Sequence, residues 1–148
     1  MNNYIFKIPL GLVTKYGQTE VFMIHSESLE VLGNVIVFAE SQKFFMAWGN
    51  EPWSSDDPKL LPSEYFSDVD IIFQNSHQNP VRVPYAGRGL KDKITSPTFD
   101  AVSFSNGIHR IHWLLRHDAQ WIPFQCTQAD LPFFQKILDA PRYCIIEE

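Results

Sequence analysis

Four short apolar runs, separated by turn residues, make up the first third of the chain. The runs are YIFKIPLGLV, TEVFMIHS, NVIVFAE and KFFMAWG, and the dipeptides between them are Tyr16-Gly17, Gly33-Asn34 and Ser41-Gln42. Aromatic and β-branched residues suit a pleated surface with one covered face, and such short connections suit hairpins. The pattern therefore predicts an antiparallel strand meander over residues 1–49.

Prolines and acidic residues interrupt this pattern over residues 50–63. The prolines in NEPWSSDDPKLLPS favour a loop, which we expect to be exposed at residues 54–57. The following segment, EYFSDVDIIFQN, predicts a short helix that Ser63 caps. Its apolar positions share one helical face: Phe66, Val69, Ile72 and Phe73. Beyond it, QNPVRVP predicts a short strand whose valines alternate around Arg82.

A strand, a glycine and a helix follow one another from residue 99 onward. In DAVSFS, Val102 and Phe104 alternate with serines, the pattern of a strand with one covered face. Asn106-Gly107 ends that strand, and apolar residues then recur at helical spacing: Ile108, Ile111, Leu114 and Leu115. The WIPF segment begins another strand. In TQADLPFFQKILDAP, a capping box and a terminal proline predict a last helix.

The start of the predicted helix, residues 107–110, favours an anion, and we call it the glycine turn. Backbone N–H groups in a first helical turn have no intrahelical partner, and the helix dipole adds partial positive charge there. Arg110 adds a two-pronged donor that suits phosphate. His109 is a candidate to bind phosphate or relay a proton, the alternative being a hydrogen bond to the backbone.

Three sets of residues are candidates for function. For catalysis they are His109 and Asp100, the carboxylate serving as general base or magnesium ligand. For phosphate or nucleotide binding they are Asn106, Gly107, His109, Arg110, Arg82 and Arg88. For partner binding they are Trp53, Asp56, Asp57, Lys91 and Lys93, which lie in two predicted loops. We expect no metal site, because no cluster of ligands has suitable spacing.

Length and composition indicate one cytosolic domain. The 148 residues are 45% hydrophobic and 14% aromatic, which supplies one core. No apolar run reaches the roughly 18 residues of a membrane span, and MNNYIFKIPL lacks a basic leader, so we expect a cytoplasmic protein. Cys126 and Cys144 are then expected to be free thiols, with Cys126 inside the core.

Basic residues are concentrated around the glycine turn, although the net charge of the chain is −5. Residues 81–117 hold six basic and two acidic side chains, a local charge of +4, whereas the remainder holds six basic and fifteen acidic ones, a charge of −9. A basic segment in an acidic chain favours a local phosphate site over a broad nucleic-acid surface. The alternative is that the basic loop AGRGLKDK is simply solvated.

The glycine turn and the segments after it resemble the ParB/sulfiredoxin superfamily. Sulfiredoxins carry Gly-Cys-His-Arg at this turn, then an Ile-Pro strand and a short helix, and this chain keeps that order with GIHR, IPF and the helix after Thr127. The resemblance implies an α+β fold, a single ParB/sulfiredoxin-like domain over residues 1–148. Within it, residues 1–49 are strand-rich, 50–63 are the Pro-rich loop and 64–148 form the superfamily core. Ile108 replaces the sulfiredoxin cysteine, which excludes sulfiredoxin chemistry.

More narrowly, NGIHR with HWLL and IPF resembles the plasmid fertility inhibition factors. That resemblance implies a protein that blocks conjugative DNA transfer of a co-resident plasmid by binding the coupling ATPase of a type IV secretion system. Such an inhibitor needs no cofactor. The alternative is an ATPase or DNase that uses ATP with Mg²⁺ and acts on the transferred DNA. The nearby carboxylates are few, Asp100 and Asp118, so we prefer the inhibitor.

Overall fold

The computed structural model describes residues 4–27, 29–49, 58–89, 101–104 and 107–147. The strands are β1 (Ile5–Pro9), β2 (Glu20–Ile24), β3 (Val35–Glu40), β4 (Val81–Arg82), β5 (Ala86–Gly89), β6 (Ala101–Phe104), β7 (Trp121–Cys126) and β8 (Arg142–Ile145). The helices are α1 (Leu29–Leu32), α2 (Ser41–Gly49), α3 (Ser67–Gln74), α4 (Ile108–Arg116) and α5 (Leu131–Ile137), with 3-10 turns at Pro58–Leu60 and Ser63–Phe66. The mixed α+β class predicted from the sequence is confirmed.

Strand β3 is the centre of one sheet, antiparallel to β7 on one side and to β8 on the other. Successive β3 residues point to opposite faces, yet those from Val35 to Val37 are all buried, so both faces of the strand are covered. On one face, Phe124 of β7 packs against Phe44 of α2 and Phe134 of α5. This sheet therefore forms the centre of the hydrophobic core.

A second sheet has the order β1-β2-β4, with β1 antiparallel and β4 parallel to β2. Strands β5 and β6 form a separate antiparallel pair. The predicted N-terminal meander is therefore confirmed for β1 and β2 and wrong for the rest. Strand β3 leaves β2 and joins strands more than eighty residues later in the chain, a pairing that local pattern does not encode.

The fourth apolar run, KFFMAWG, is wrong as a strand, because it forms most of helix α2. Phe44, Ala47 and Trp48 are buried, at the three- and four-residue spacing of one helical face. Met46 is 72% exposed, whereas a strand would have placed it on the same face as Phe44 and Trp48. The burial of Phe44 and Trp48 on one helical face outweighs the strand propensity of this run.

The predicted helix after the Pro-rich loop exists as α3, with two corrections. Phe66, Val69 and Phe73 are buried as expected, but Ile72 is about half exposed. Ser63 does not cap α3, since it begins a 3-10 turn and Phe66 stands at the N-cap position without a side-chain cap. The exposed stretch predicted at residues 54–57 lies outside the described residues.

The C-terminal unit follows its predicted order of strand, glycine, helix, strand and helix. Helix α4 buries Ile111, Leu114 and Leu115. At the start of α5, Thr127 Oγ1 accepts a hydrogen bond from the Asp130 amide at 3.2 Å. Cys126 is buried as expected, and that burial raises the pKa of its thiol to about 12. Strand β8 was not predicted. None of the helices in the described part of the chain is long and apolar enough to cross a membrane.

Candidate functional site

The glycine turn is packed tightly against the rest of the fold through Gly107. This residue has φ +83°, in the left-handed region that disfavours side chains, and it directly precedes α4. A Cβ atom at this position would lie 2.4 Å from the Cβ of Pro84, which is too close for any side chain. Glycine is therefore required here by backbone conformation and by packing, before any ligand is considered.

The side chain of Arg110 extends across the turn to the last residue of β4. Its guanidinium donates a hydrogen bond to the backbone carbonyl of Arg82 and lies beside Gly107. Burial lowers the pKa of Arg110. Among the described residues Arg110 has no carboxylate partner. Its positive charge is therefore stabilised there by the Arg82 carbonyl and not by an opposite charge.

The backbone of Arg82 contacts the glycine turn, whereas its side chain is bound to residues that follow β2. The guanidinium donates to the carbonyl of His25 at 2.8 Å and to Glu27 Oε1 at 2.6 Å. Val81 and Val83 on either side are buried. Arg82 is therefore adjacent to Arg110 through its carbonyl, and its guanidinium is held in an ion pair with Glu27.

His109 and His112, one helical turn apart on α4, both contact Tyr65. The exposed His109 ring stacks on Tyr65, with ring centroids 4.6 Å apart and an interplanar angle of 19°. The Tyr65 hydroxyl is hydrogen-bonded to His112 Nδ1 at 2.7 Å. Tyr65 thus links an exposed histidine of the glycine turn to a buried one behind it.

His112 is held neutral inside this cluster. It is 1% exposed and packs 5.1 Å from the Trp48 ring, centroid to centroid. Burial, followed by the positive charge of nearby His109, lowers the pKa of His112 to about 4. Its Nε2 atom is buried and has no hydrogen-bond partner within the described part of the chain. An unpaired buried nitrogen costs free energy, so His112 is a polar group that the surrounding core disfavours.

The structure brings together three of the predicted site residues, Gly107, His109 and Arg110, with the backbone of Arg82. Arg88 lies in β5, and its side chain is outside the described part of the structure. The remaining candidates also lie outside the described residues: Asp100, Asn106, Trp53, Asp56, Asp57, Lys91 and Lys93. Within the described ranges, no group of three or more His, Cys, Asp and Glu side chains is arranged to hold a metal ion.

Sequence reasoning missed two residues that shape the turn, Tyr65 and Pro84. Tyr65 lies more than forty residues before His109, in a 3-10 turn that no periodic pattern marks. In QNPVRVP, Pro84 indicates only the end of a short strand, whereas in the fold its ring limits the space available at Gly107. Both contacts are long-range and leave no local signal in the sequence.

Comparisons with known proteins agree on one family. The family model of the plasmid fertility inhibition factors matches residues 36–138. The chain is also similar to a crystal structure of the oncogenic suppression activity protein, a plasmid fertility inhibition factor, in a gold(I) cyanide derivative. The TM-score is 0.71 at 19% sequence identity, covering 99% of this chain and 74% of the other. No curated protein matches the sequence significantly. At that identity the structural likeness shows a shared fold.

Proposed function

Because the chain belongs to the family of plasmid fertility inhibition factors, we propose that it lowers conjugative transfer of a co-resident plasmid by binding the coupling ATPase of the type IV secretion system. The observation that carries this proposal is the family match. It extends from β3 to the end of α5, and so includes the central sheet and the glycine turn.

The contacts at the glycine turn support a binding role over a catalytic one. Gly107 fills its space against Pro84, Arg110 is bound to a backbone carbonyl, and His109 stacks on Tyr65. Each of these residues has a structural task that explains its presence without a substrate. A stoichiometric inhibitor needs an exposed surface that fits its target, and no arrangement of acid, base and nucleophile.

The second candidate function, a nucleotide-dependent ATPase or DNase, is favoured by the free end of α4. Gly107 has no side chain to cap the helix, and the amides of Ile108, His109 and Arg110 have no acceptor among the described residues. Such amides and the exposed His109 ring suit an anion such as a phosphate. In this alternative, ATP with Mg²⁺ or the DNA backbone would occupy the turn.

Mating experiments test the preferred function. Donor cells that carry a conjugative plasmid, with and without this gene, are mated with recipients, and transconjugants and plasmid copy number are counted. The proposal expects fewer transconjugants at unchanged copy number. Equal transfer of every plasmid tested would contradict it.

Calorimetry separates the second candidate from the first. A non-hydrolysable ATP analogue with Mg²⁺ is titrated into the wild-type chain and into His109→Ala. Binding that weakens in the variant would support a working phosphate site. Absence of heat and of a thermal shift at millimolar nucleotide would remove the enzymatic alternative and leave the inhibitor proposal intact.

A further inference from the structure

Two edge strands, one from each three-stranded sheet, flank an open groove. Strand β1 is the outer strand of the β1-β2-β4 sheet, and β8 is the outer strand of the β7-β3-β8 sheet. The groove has a volume of about 430 Å³ and is lined by residues of β1 and β8 together with Phe38 of β3 and Trp121 of β7. None of the residues of the glycine turn lines this groove.

The outer edge of β8 presents unpaired backbone groups in the described part of the chain. The Ile146 amide donates a hydrogen bond to the Asn34 carbonyl at 2.7 Å. Asn34 and Ile146 are therefore a hydrogen-bonded pair at the end of the antiparallel β3–β8 ladder. Hydrogen-bonded and non-hydrogen-bonded pairs alternate along such a ladder. Tyr143 and Ile145, paired with Val37 and Val35, are therefore the residues whose N–H and C=O groups point away from β3.

The side chains along this edge are apolar and accessible. Tyr143 and Ile145 are 45% and 42% exposed, and Ile5 of β1 across the groove is 51% exposed. Natural proteins usually protect such an edge with charges, prolines or bulges, because unpaired apolar strands attract other strands. β1 ends in Pro9, whereas β8 contains no proline. The exposed edge of β8 is therefore suited to pairing with another strand.

The charged groups of the groove are basic, in a chain of net charge −5. The Arg142 guanidinium lies 5.5 Å from the centre of the Trp121 ring, and it has no carboxylate partner among the described residues. Lys7 on the opposite strand reaches Glu20 only at 3.7 Å, with both side chains exposed. These cations favour an acidic occupant.

We propose that β8 accepts an extended, acidic segment of a partner protein as an additional antiparallel or parallel strand, with its carboxylates facing Arg142 and Lys7. The segment pairs through the outward backbone groups of Tyr143 and Ile145, and its apolar side chains contact Tyr143 and Ile5. A second copy of the chain fits less well, because β8 itself contains no acidic residue that could face the Arg142 of a paired copy. This inference rests on the proposed function, since the partner is the inhibited target.

Variants of the edge, compared with matched controls, test this inference in the full chain. Arg142→Glu reverses the charge at the groove, and Lys136→Glu makes the same change at an exposed position of α5. Tyr143→Pro removes one outward N–H group, and Tyr143→Thr keeps that group while shortening the side chain. All variants are first checked for folding by thermal melts and for oligomeric state by light scattering.

Each variant is then assayed in matings and by calorimetry against the purified cytosolic domain of the coupling ATPase from the inhibited plasmid. Arg142→Glu and Tyr143→Pro are expected to weaken both inhibition and binding by about tenfold, while Lys136→Glu matches wild type and Tyr143→Thr falls between. If Tyr143→Pro does not fold, the comparison of Arg142→Glu with its control Lys136→Glu tests the inference.

The possible results separate this inference from the proposed function. Folded edge variants that inhibit transfer as well as wild type overturn the inference and leave the proposed function standing. Edge variants that lose inhibition although the coupling ATPase domain does not bind support the docking edge and refute that particular target. A wild-type dimer that Tyr143→Pro dissociates shows that a second copy occupies the edge, which overturns the partner assignment. A wild-type chain that does not inhibit transfer ends both proposals.

Discussion

Replacement of Gly107 by alanine tests whether the glycine turn is fixed by packing as well as by backbone conformation. The residue has φ +83°, and an added Cβ would lie 2.4 Å from Pro84 Cβ and 2.8 Å from an Arg110 guanidinium nitrogen. Gly17 provides a matched control, since it has φ +82° and nothing within 4 Å of an added Cβ. The two substitutions therefore share the backbone strain and differ in the contact.

The expected losses of stability follow from the backbone strain and from the contact with Pro84. Left-handed backbone costs a non-glycine residue about 1–2 kcal/mol, offset in part by about 0.4–1 kcal/mol from the restricted unfolded chain. Gly17→Ala should therefore lower the free energy of unfolding by roughly 1 kcal/mol. Gly107→Ala should lose about 1–3 kcal/mol more, the usual cost of overpacking, because the Pro84 ring must move.

Urea denaturation followed by tryptophan fluorescence measures both variants against wild type. We expect Gly107→Ala to be clearly the less stable of the two variants. Equal losses, within about 0.5 kcal/mol, would refute the claim that Pro84 closes the turn against side chains.

Three other predictions concern the groups behind the turn. The pKa of His112 is lowered to about 4 in the folded chain, so between pH 6.5 and 4 the unfolded chain binds a proton at this histidine that the folded chain does not. Lowering the pH from 7 to 5 should therefore reduce the free energy of unfolding by about 2 kcal/mol. Urea denaturation of His112→Gln should show a smaller loss of stability between pH 7 and 5 than the wild-type chain. An equal loss would contradict the assignment of this pH dependence to His112. Arg110→Ala should reduce stability by about 1.5–3 kcal/mol, the worth of a hydrogen bond from a charged donor, and an unaltered melting temperature would show that the Arg82 carbonyl contact is unimportant. A thiol reagent should modify half-buried Cys144 before Cys126, whose pKa is about 12, and mass spectrometry of the native chain that finds the opposite order would be inconsistent with this packing.

The sequence predicted the elements whose signal is local. Helix α4 was predictable because apolar residues recur at helical spacing directly after a glycine, and glycine is the residue that tolerates the observed positive φ. The β1–β2 pair was predictable for a similar reason, since alternating apolar runs flank a turn-rich segment.

Elements that depend on distant partners escaped prediction. The run that forms α2 contains three consecutive large apolar residues from Phe44 to Met46, which fit a strand as well as a helix until the burying surface is known. Strand β8 has only four residues, and it is defined by its pairing with β3, a hundred residues earlier.

The candidate site was predictable in its position and not in its contacts. The GIHR motif located the turn, but the stacking of Tyr65 on His109 and the closure by Pro84 come from segments brought together by the tertiary fold. The ion pair between Arg82 and Glu27 likewise joins remote segments, β4 and the residues that follow β2. Such contacts decide whether a basic side chain is available to a ligand, and residue spacing does not report them.

Conjugation counts with His109→Ala and Arg110→Ala donors show whether inhibition comes from binding a partner or from chemistry at the glycine turn. Each variant is expressed at the wild-type level, and its folded fraction is verified by thermal melt. If inhibition comes from partner binding, both folded variants reduce transconjugants as strongly as the wild-type chain. Loss of inhibition in both folded variants would contradict it and would assign the function to nucleotide binding or catalysis at the turn.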